Sequence, residues 1–362
     1  MVKKLYTKIK LFYEKYERLL LPGTLVFGVI VDFITFKSIQ INYAFIILGL
    51  HILFVGAIIA FLNFYDAGLI SNKNRVLKYF RLLCPLGIQF SFGALLSACF
   101  IFYFFSGSLY VSWPFILLIV ILMISNEVSR EYYLRARVQI SIYFFLLFSV
   151  FAIILPFVLE KLGAWIFLSA GALSLLVIFL YITFLSRYIK SEKITIKRFA
   201  VPVIIIFIFI NALYFFNVIP PMPLSLKDSV IGHSISRSDG EYTIAIEPES
   251  FLESILPGQT IHKVSGEAVV VYTAIFAPGN LATDIVHHWQ YKENGKWVSM
   301  GRFSYSIAGG RAEGYRGYSI KNDVPVGKWR VDVETARGQV LGRVQFDVVE
   351  ANFAPLLVEI VE

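Results

Sequence analysis

The 362-residue chain is 57% hydrophobic and only 16% charged. Soluble domains carry about 25% charged residues, so this composition excludes a single soluble protein of this size, and it excludes a disordered chain more firmly. Residues 1–220 hold 20 Lys and Arg against 8 Asp and Glu, whereas residues 221–362 hold 13 against 17. The positive charge belongs to the apolar half, where it is typical of the cytoplasmic rims of membrane helices. It does not indicate a nucleic-acid partner.

Residues 1–20 precede the first apolar run and carry six Lys or Arg residues. Their apolar side chains recur at roughly helical spacing. The segment therefore predicts a basic amphipathic helix on an anionic inner leaflet, and a solvated basic leader is the alternative. No small-residue cleavage site follows the first apolar run, so the pattern is not that of a signal peptide.

Residues 21–219 predict an all-α polytopic membrane domain of about seven transmembrane helices, because a spanning helix needs about 20 apolar residues. The predicted spans are 21–37, 43–64, 82–105, 109–126, 138–159, 163–186 and 199–219.

The connections between these spans differ strongly in charge. The N-terminal segment and the connections after the second, fourth and sixth spans together hold 18 basic residues. The connections after the first, third and fifth spans hold 2. This asymmetry predicts a cytoplasmic N-terminus and a periplasmic or extracellular C-terminal domain, in a bacterial cytoplasmic (inner) membrane. The lipid bilayer is the one partner that follows directly.

Beyond the last span the pattern changes to period-two alternation with turn signals. Residues 220–227 contain three prolines and predict a stiff tether. Residues 228–350 predict an exported all-β domain, an immunoglobulin-like sandwich, and residues 351–362 predict a C-terminal tail. The predicted strands are 229–237, 241–247, 267–276, 284–292, 296–301, 315–321, 328–335 and 339–349. Within the sandwich, Asn294–Gly295 predicts a two-residue hairpin turn.

No catalytic motif and no metal-ligand spacing occurs in the sequence, so it predicts no cofactor, no metal and no catalytic residue, and does not favour an enzyme. In the strand around Trp289, His287 shares a face with Trp289 while His288 faces the other way. A metal site with both histidines is therefore disfavoured. A core role for Trp289, with His287 as a hydrogen-bonded neighbour, is the simpler interpretation.

A second cluster of candidate residues follows later in the β-domain. Ser319 and Lys321 lie on one predicted strand. On the next, alternation predicts that Trp329 and Val333 face the core and that Arg330 faces the other way. One interpretation is an ordinary strand pair with a charged outer face. The other is a binding surface for sugars or anionic groups, formed by His287, Trp289, Ser319, Lys321 and Arg330.

The run from residue 287 to residue 348 resembles the bacterial domain-of-unknown-function family 2914. The shared pattern is H-x-W-x-Y, S-x-K, G-x-W-R-V-x-V and F-x-V, which stand here at 287–291, 319–321, 327–333 and 346–348. Longer members resemble the first span in a G-x-x-x-D stretch, here Gly28 to Asp32. The resemblance implies a polytopic membrane protein with a C-terminal β-domain, and it implies no activity.

Two polar residues, Asp32 and His51, lie inside consecutive predicted spans. An unpaired charge at such depth costs several kcal/mol. The two side chains can form a structural pair that locks two helices, or Asp32 can reach the outer interface. Alternatively, they belong to a proton-linked site or a polar ligand pocket.

The sequence therefore leaves two functions open. The first is a membrane protein that presents its β-sandwich as a binding or assembly module on the outer face, where the ligand is an envelope glycan, a lipid head group or another membrane protein. The second is a polytopic enzyme or transporter with its site around Asp32 and His51. Such proteins usually show several converging polar groups, of which the sequence singles out few.

Overall fold

The computed structural model describes most of the chain beyond residue 27. The described residues are 28–34, 41–70, 74–133, 135–189, 196–238, 240–248, 258–264, 266–278, 281–309 and 314–362. The predicted amphipathic helix at 1–20 and most of the first predicted span lie outside them.

The first half of the chain is helical. Within the described residues, six helices are long and apolar enough to cross a membrane, and residues 28–34 form a helical piece of the first predicted span. The helices are α1 (28–34), α2 (Ile41–Asp66), α3 (Arg75–Phe105), α4 (Leu109–Val128), the short α5 (Arg130–Tyr133), α6 (Ala136–Leu159), α7 (Ala164–Tyr188) and α8 (Ile196–Phe215).

The chain divides into two compact units. The first holds most of the helical residues, and its interior centres on α6, where Phe144, Leu146 and Phe148 are fully buried. Other helices keep large apolar side chains exposed, such as Leu53 and Phe90. Exposed apolar side chains on long helices are expected where lipid takes the place of water.

The second unit contains residues 216–362 together with 104–113 and 156–163. Its strands are β1 (Ser225–Gly232), β2 (Ser234–Ser238), β3 (Glu241–Ile246), β4 (Gln259–Lys263), β5 (Val269–Phe276), β6 (Ala282–Glu293), β7 (Lys296–Ala308), β8 (Tyr315–Lys321), β9 (Gly327–Thr335), β10 (Val340–Glu350) and β11 (Val358–Val361).

These strands form three sheets, with the orders β1-β5-β8, β4-β10-β9-β6-β7 and β11-β3-β2. The core is built around Trp289, Trp329 and Phe346, whose rings make edge-to-face contacts at centroid distances of 6.0–6.2 Å around Trp289. Alternate residues of β5, β6, β9 and β10 enter this core. The predicted fold class, a polytopic helical region followed by an all-β domain, is confirmed.

Local details of the β-domain differ from the prediction in three places. The single strand expected over 229–237 is two strands, β1 and β2, which pair with different neighbours. The strands β4 and β11 were not predicted, and β11 lies inside the segment 351–362 that the sequence assigns to a tail. The turn at Asn294–Gly295 joins β6 to β7 as expected, with positive φ angles of 48° and 79°.

Candidate functional site

A cavity of about 470 Å³ lies within the helical unit. It is lined by side chains from α1 to α4, and its polar groups fall at two levels along α3. Ser97 lies at one level and Gln89 at the other, eight residues and therefore about 12 Å apart along the helix. The lining residues are Gly28, Val29, Asp32, His51, Leu86, Gln89, Phe90, Gly93, Ala94, Ser97, Met123, Asn126 and Glu127.

Asp32 and His51 occupy the first level of the cavity. Ser97 lines the cavity beside them. His51 Nδ1 lies 3.4 Å from Ser91 Oγ, and its ring meets the Phe90 ring at a centroid distance of 5.6 Å. The two polar residues singled out from the sequence therefore share one cavity, although they come from different helices.

Gln89, Asn126 and Glu127 form the second level. Gln89 Nε2 donates to Glu127 Oε2 at 3.0 Å, and Asn126 Nδ2 donates to the Gln89 carbonyl oxygen at 3.0 Å. Asn126 is buried, and its Oδ1 atom has no hydrogen-bond partner in the described part of the chain. A buried acceptor left without a donor is costly, which makes this end of the cavity receptive to a donor from a ligand.

Sequence reasoning did not single out this second level. The contacts that form it run between helices, from α3 to α4, over a separation of 37 and 38 residues. One sequence signal pointed to this level: Gln89 interrupts an apolar span at a depth comparable to that of Asn126 in the next span. Whether Asp32 and His51 act as a structural pair or as part of a binding site stays a prediction.

In the β-domain, His287 connects the five-stranded sheet to the β1-β5-β8 sheet. Its Nε2 atom lies 2.9 Å from Thr273 Oγ1, and its Nδ1 atom lies 2.8 Å from Ser319 Oγ. Trp289 Nε1 donates to the same Ser319 hydroxyl at 2.9 Å, and the Tyr305 hydroxyl lies 2.7 Å from Thr273 Oγ1. Burial lowers the pKa of His287 to about 4, so the ring is neutral at pH 7.

Three of the five β-domain residues predicted to bind a ligand therefore lie in its interior. His287, Trp289 and Ser319 are 0%, 0% and 4% exposed and satisfy one another's hydrogen bonds. Lys321 and Arg330 are partly exposed, and Lys321 Nζ donates to the Met300 carbonyl oxygen at 2.8 Å. The five residues do not form one open surface, and ligand binding by them stays a prediction.

Arg330 lies instead in a charged and aromatic patch on the outer face of the five-stranded sheet. Its guanidinium donates to Gln290 Oε1 at 2.7 and 3.0 Å and lies over the Trp297 ring, 4.6 Å from the centroid. Lys292 Nζ lies 5.7 Å from the same ring. The patch thus presents a partly exposed aromatic ring flanked by two cations, which suits recognition of sugars or anions.

Two acidic residues accompany this patch on β9. Asp332 accepts two hydrogen bonds from Arg343, at 2.5 and 3.0 Å. Glu334 lies 2.7 Å from Arg302 and 3.3 Å from His288. Burial raises the pKa of Glu334 to about 7 even though Arg302 opposes the shift. The carboxyl therefore titrates near neutral pH.

A smaller cavity of about 120 Å³ lies beside His233, Glu247 and His262. The Glu247 carboxylate lies 3.0 Å from His233 Nε2 and 2.8 Å from His262 Nδ1. Although burial alone would raise the pKa of Glu247, the hydrogen bonds from His262 and His233 lower it. Among the described residues, no group of three or more His, Cys, Asp or Glu side chains is arranged to hold a metal ion. Glu247, directly after β3, thus contacts His262 on β4 and His233 between β1 and β2.

Comparison with other proteins gives one family and no assigned activity. No curated protein matches the chain. Among solved structures, an immunoglobulin-like protein from Pseudomonas aeruginosa is 12% identical with a TM-score of 0.21, over 35% of this chain and 96% of that one. The alkylpurine DNA glycosylase AlkC from Pseudomonas fluorescens, bound to DNA with an abasic site analog, is 9% identical with a TM-score of 0.21, over 83% and 97%.

Likenesses at these TM-scores carry no inference about function. The family described as "Protein of unknown function (DUF2914)" matches residues 282–348, from the start of β6 almost to the end of β10. This region holds His287, Trp289, Ser319, Trp329 and Phe346, the residues that build the core described above. The polytopic helical protein therefore carries a DUF2914 domain at its C-terminus.

Proposed function

We propose that this protein is a transporter of the bacterial inner membrane and that it binds its solute in the Asp32–His51 cavity. The observation that carries the proposal is the convergence of polar groups from four helices on one cavity. Besides Asp32 and His51, these are Gln89, Ser97, Asn126 and Glu127. A purely structural Asp–His pair needs no cavity of this size, whereas ligand sites typically occupy about 300–1,000 Å³.

The proposed orientation places the N-terminus in the cytoplasm and the β-domain outside. The uneven distribution of Lys and Arg supports it. The composition of the second unit supports it independently, because residues 104–113 and 156–163 belong to the same unit as the β-domain. These segments contain two of the three sparsely charged connections that the charge distribution assigns to the outside. Within that unit, the Ser108 amide donates to the Val340 carbonyl oxygen at 3.3 Å.

Solvent access to the cavity tests the proposed solute site. Ala94 lines the cavity, whereas Ala98, one turn further along α3, is fully buried outside it. After Cys84 and Cys99 are replaced by serine, Ala94→Cys should react with a membrane-impermeant maleimide in permeabilised cells. Ala98→Cys should not react.

Labelling of intact and inverted membrane vesicles shows from which side the reagent enters. If neither Ala94→Cys nor Ala98→Cys reacts with the maleimide in properly inserted protein, the result would contradict a solute site. That result would favour a structural role for Asp32 and His51, in which the pair only locks two helices together.

The Trp297 patch supports a second function, in which the exported β-domain is a binding or assembly module for an envelope glycan, a lipid head group or another membrane protein. The partly exposed ring of Trp297 lies within 5.7 Å of the Lys292 and Arg330 cations. Co-purification from native membranes tests it: a component retained by the natural protein should be lost in Trp297→Ala and kept in Trp165→Ala. Equal retention by both variants would contradict this role for the patch.

A further inference from the structure

We infer that the solute of the helical cavity is an amphipathic organic cation, a molecule with a protonated amine and an apolar body. The inference rests on the proposed solute site and names the chemical class that the site would take. It follows from the distribution of charge, hydrogen-bond acceptors and apolar surface around the cavity.

The charge of the lining favours a cation. Two carboxylates line the cavity, Asp32 and Glu127, and none of the described lining residues is Lys or Arg. Asp32 shares its level of the cavity with His51. Glu127, in contrast, receives only the neutral amide of Gln89 among the described residues. An anionic solute would meet no Lys or Arg among the described lining residues, whereas a cation would face the Glu127 carboxylate.

Among the described residues, the hydrogen-bonding groups beside Glu127 leave one acceptor atom without a donor. Asn126 is 3% exposed, and its Nδ2 atom is already used by the Gln89 carbonyl. Its Oδ1 atom is buried with no hydrogen-bond partner in the described part of the chain. A protonated amine carries several N–H donors and can satisfy the Glu127 carboxylate and Asn126 Oδ1 together.

The rest of the lining indicates an organic molecule. Val29, Leu86, Phe90 and Met123 supply apolar lining, and about 12 Å of α3 separates the two polar levels. A bare metal ion needs a close cage of oxygen atoms, and the described residues contain no group suited to a metal. A cavity of about 470 Å³ instead accommodates an apolar body beside the amine.

Dansylcadaverine, a primary amine with a fluorescent apolar group, tests the inference. Its N-acetyl derivative has the same body without the charge. With the full chain in phosphatidylcholine nanodiscs, dansylcadaverine should bind saturably, and the acetylated probe should bind about tenfold more weakly or worse. Glu127→Gln should weaken dansylcadaverine binding to a similar extent. The control is Asp66→Asn, which removes an exposed carboxylate from α2 and should leave binding unchanged.

Ala94→Leu provides a second variant in case Glu127→Gln does not fold. It keeps both carboxylates, fills part of the cavity and should abolish binding of both probes. Equal affinity for the charged and acetylated probes, unchanged binding in Glu127→Gln, or no binding to the natural protein would overturn the inference. If Ala94→Cys is labelled in any of those cases, only the cation assignment fails and the solute site stands.

Discussion

At the residue scale, single buried side chains contribute much of the stability of the β-domain. Trp329 is 1% exposed, its Nε1 atom donates to the Pro325 carbonyl oxygen at 2.8 Å, and its ring packs on Trp289 and Tyr291. Sequence periodicity placed Trp329 on the inward face of its strand, and its burial confirms that assignment. The indole is thus held by packing and by a hydrogen bond.

Replacing Trp329 with Ala should lower the free energy of unfolding by about 3–5 kcal/mol, because both the buried ring and its cavity enter the cost. The measurement is urea unfolding of residues 224–362, expressed alone, followed by tryptophan fluorescence. The partly exposed Trp297 gives a matched control, for which Trp297→Ala should cost less than about 1 kcal/mol. Similar losses for the two variants would mean that Trp329 is not a core anchor.

Two buried ionisable residues give the β-domain opposite responses to pH. The folded-state pKa of His287 is about 4, below its ordinary value of 6.5. Between these pH values the unfolded chain therefore binds a proton at His287 that the folded chain does not bind. Stability from His287 is therefore lost as pH falls from 6.5 to 4. The folded-state pKa of Glu334 is about 7, above its ordinary 4.5. Stability from Glu334 is therefore lost as pH rises from 4.5 to 7.

These two effects should largely cancel in the natural domain between pH 4.5 and 6.5. Glu334→Gln should uncover the His287 response, so its urea midpoint should fall as pH drops from 6.5 to 4. His287→Gln should show the reverse, with a midpoint that falls as pH rises from 4.5 to 7. Unfolding curves at half-unit pH intervals measure both slopes. Parallel pH profiles for the two variants would show that neither group titrates as described.

At the element scale, β11 is the clearest departure from the sequence-based expectation. It pairs with β3 through Val358 to Val361, and Tyr242 and Glu362 exchange two backbone hydrogen bonds of 2.9 Å. Ile360 packs against the small cluster formed by Tyr242, Ile244, Tyr272 and Ala274. The last residues of the chain therefore cover an edge of the β-domain that would otherwise be open.

Because side chains alternate across a strand, neighbouring residues of β11 should respond differently to substitution. Ile360→Ala should lower the urea midpoint of residues 224–362, since it removes contacts with the Tyr242 cluster. Glu359→Ala, at the exposed neighbouring position, should leave the midpoint nearly unchanged. A tail without structural contacts would give two indistinguishable midpoints, and β11 would then contribute nothing to stability.

At the scale of the whole molecule, the distribution of basic residues sets the expected membrane topology. Alkaline phosphatase, which is active only outside the cytoplasm, should be active when fused after Glu362. It should be inactive when fused after Asn74, which lies in a basic connection assigned to the cytoplasm. A stably expressed but inactive fusion at Glu362 would contradict both the orientation and the count of seven spans.

The sequence by itself determined the features that depend on neighbouring residues. Long apolar runs predicted the six described span candidates, because crossing a bilayer is a matter of length and hydropathy. Period-two alternation placed Trp289, Trp329 and Val333 in the core. The Asn294–Gly295 hairpin followed from the preference of these two residues for positive φ angles.

Only the tertiary structure decided which distant residues meet. The cavity combines Asp32, His51, Gln89, Asn126 and Glu127, which come from four helices and are up to 95 positions apart in the numbering. Hydropathy locates each helix but not the face that it turns towards its neighbours. For the same reason, β4 and β11 escaped prediction: each is only 4 or 5 residues long and is held by a strand remote in sequence. The charge and acceptors that define the proposed site thus arise from packing between elements.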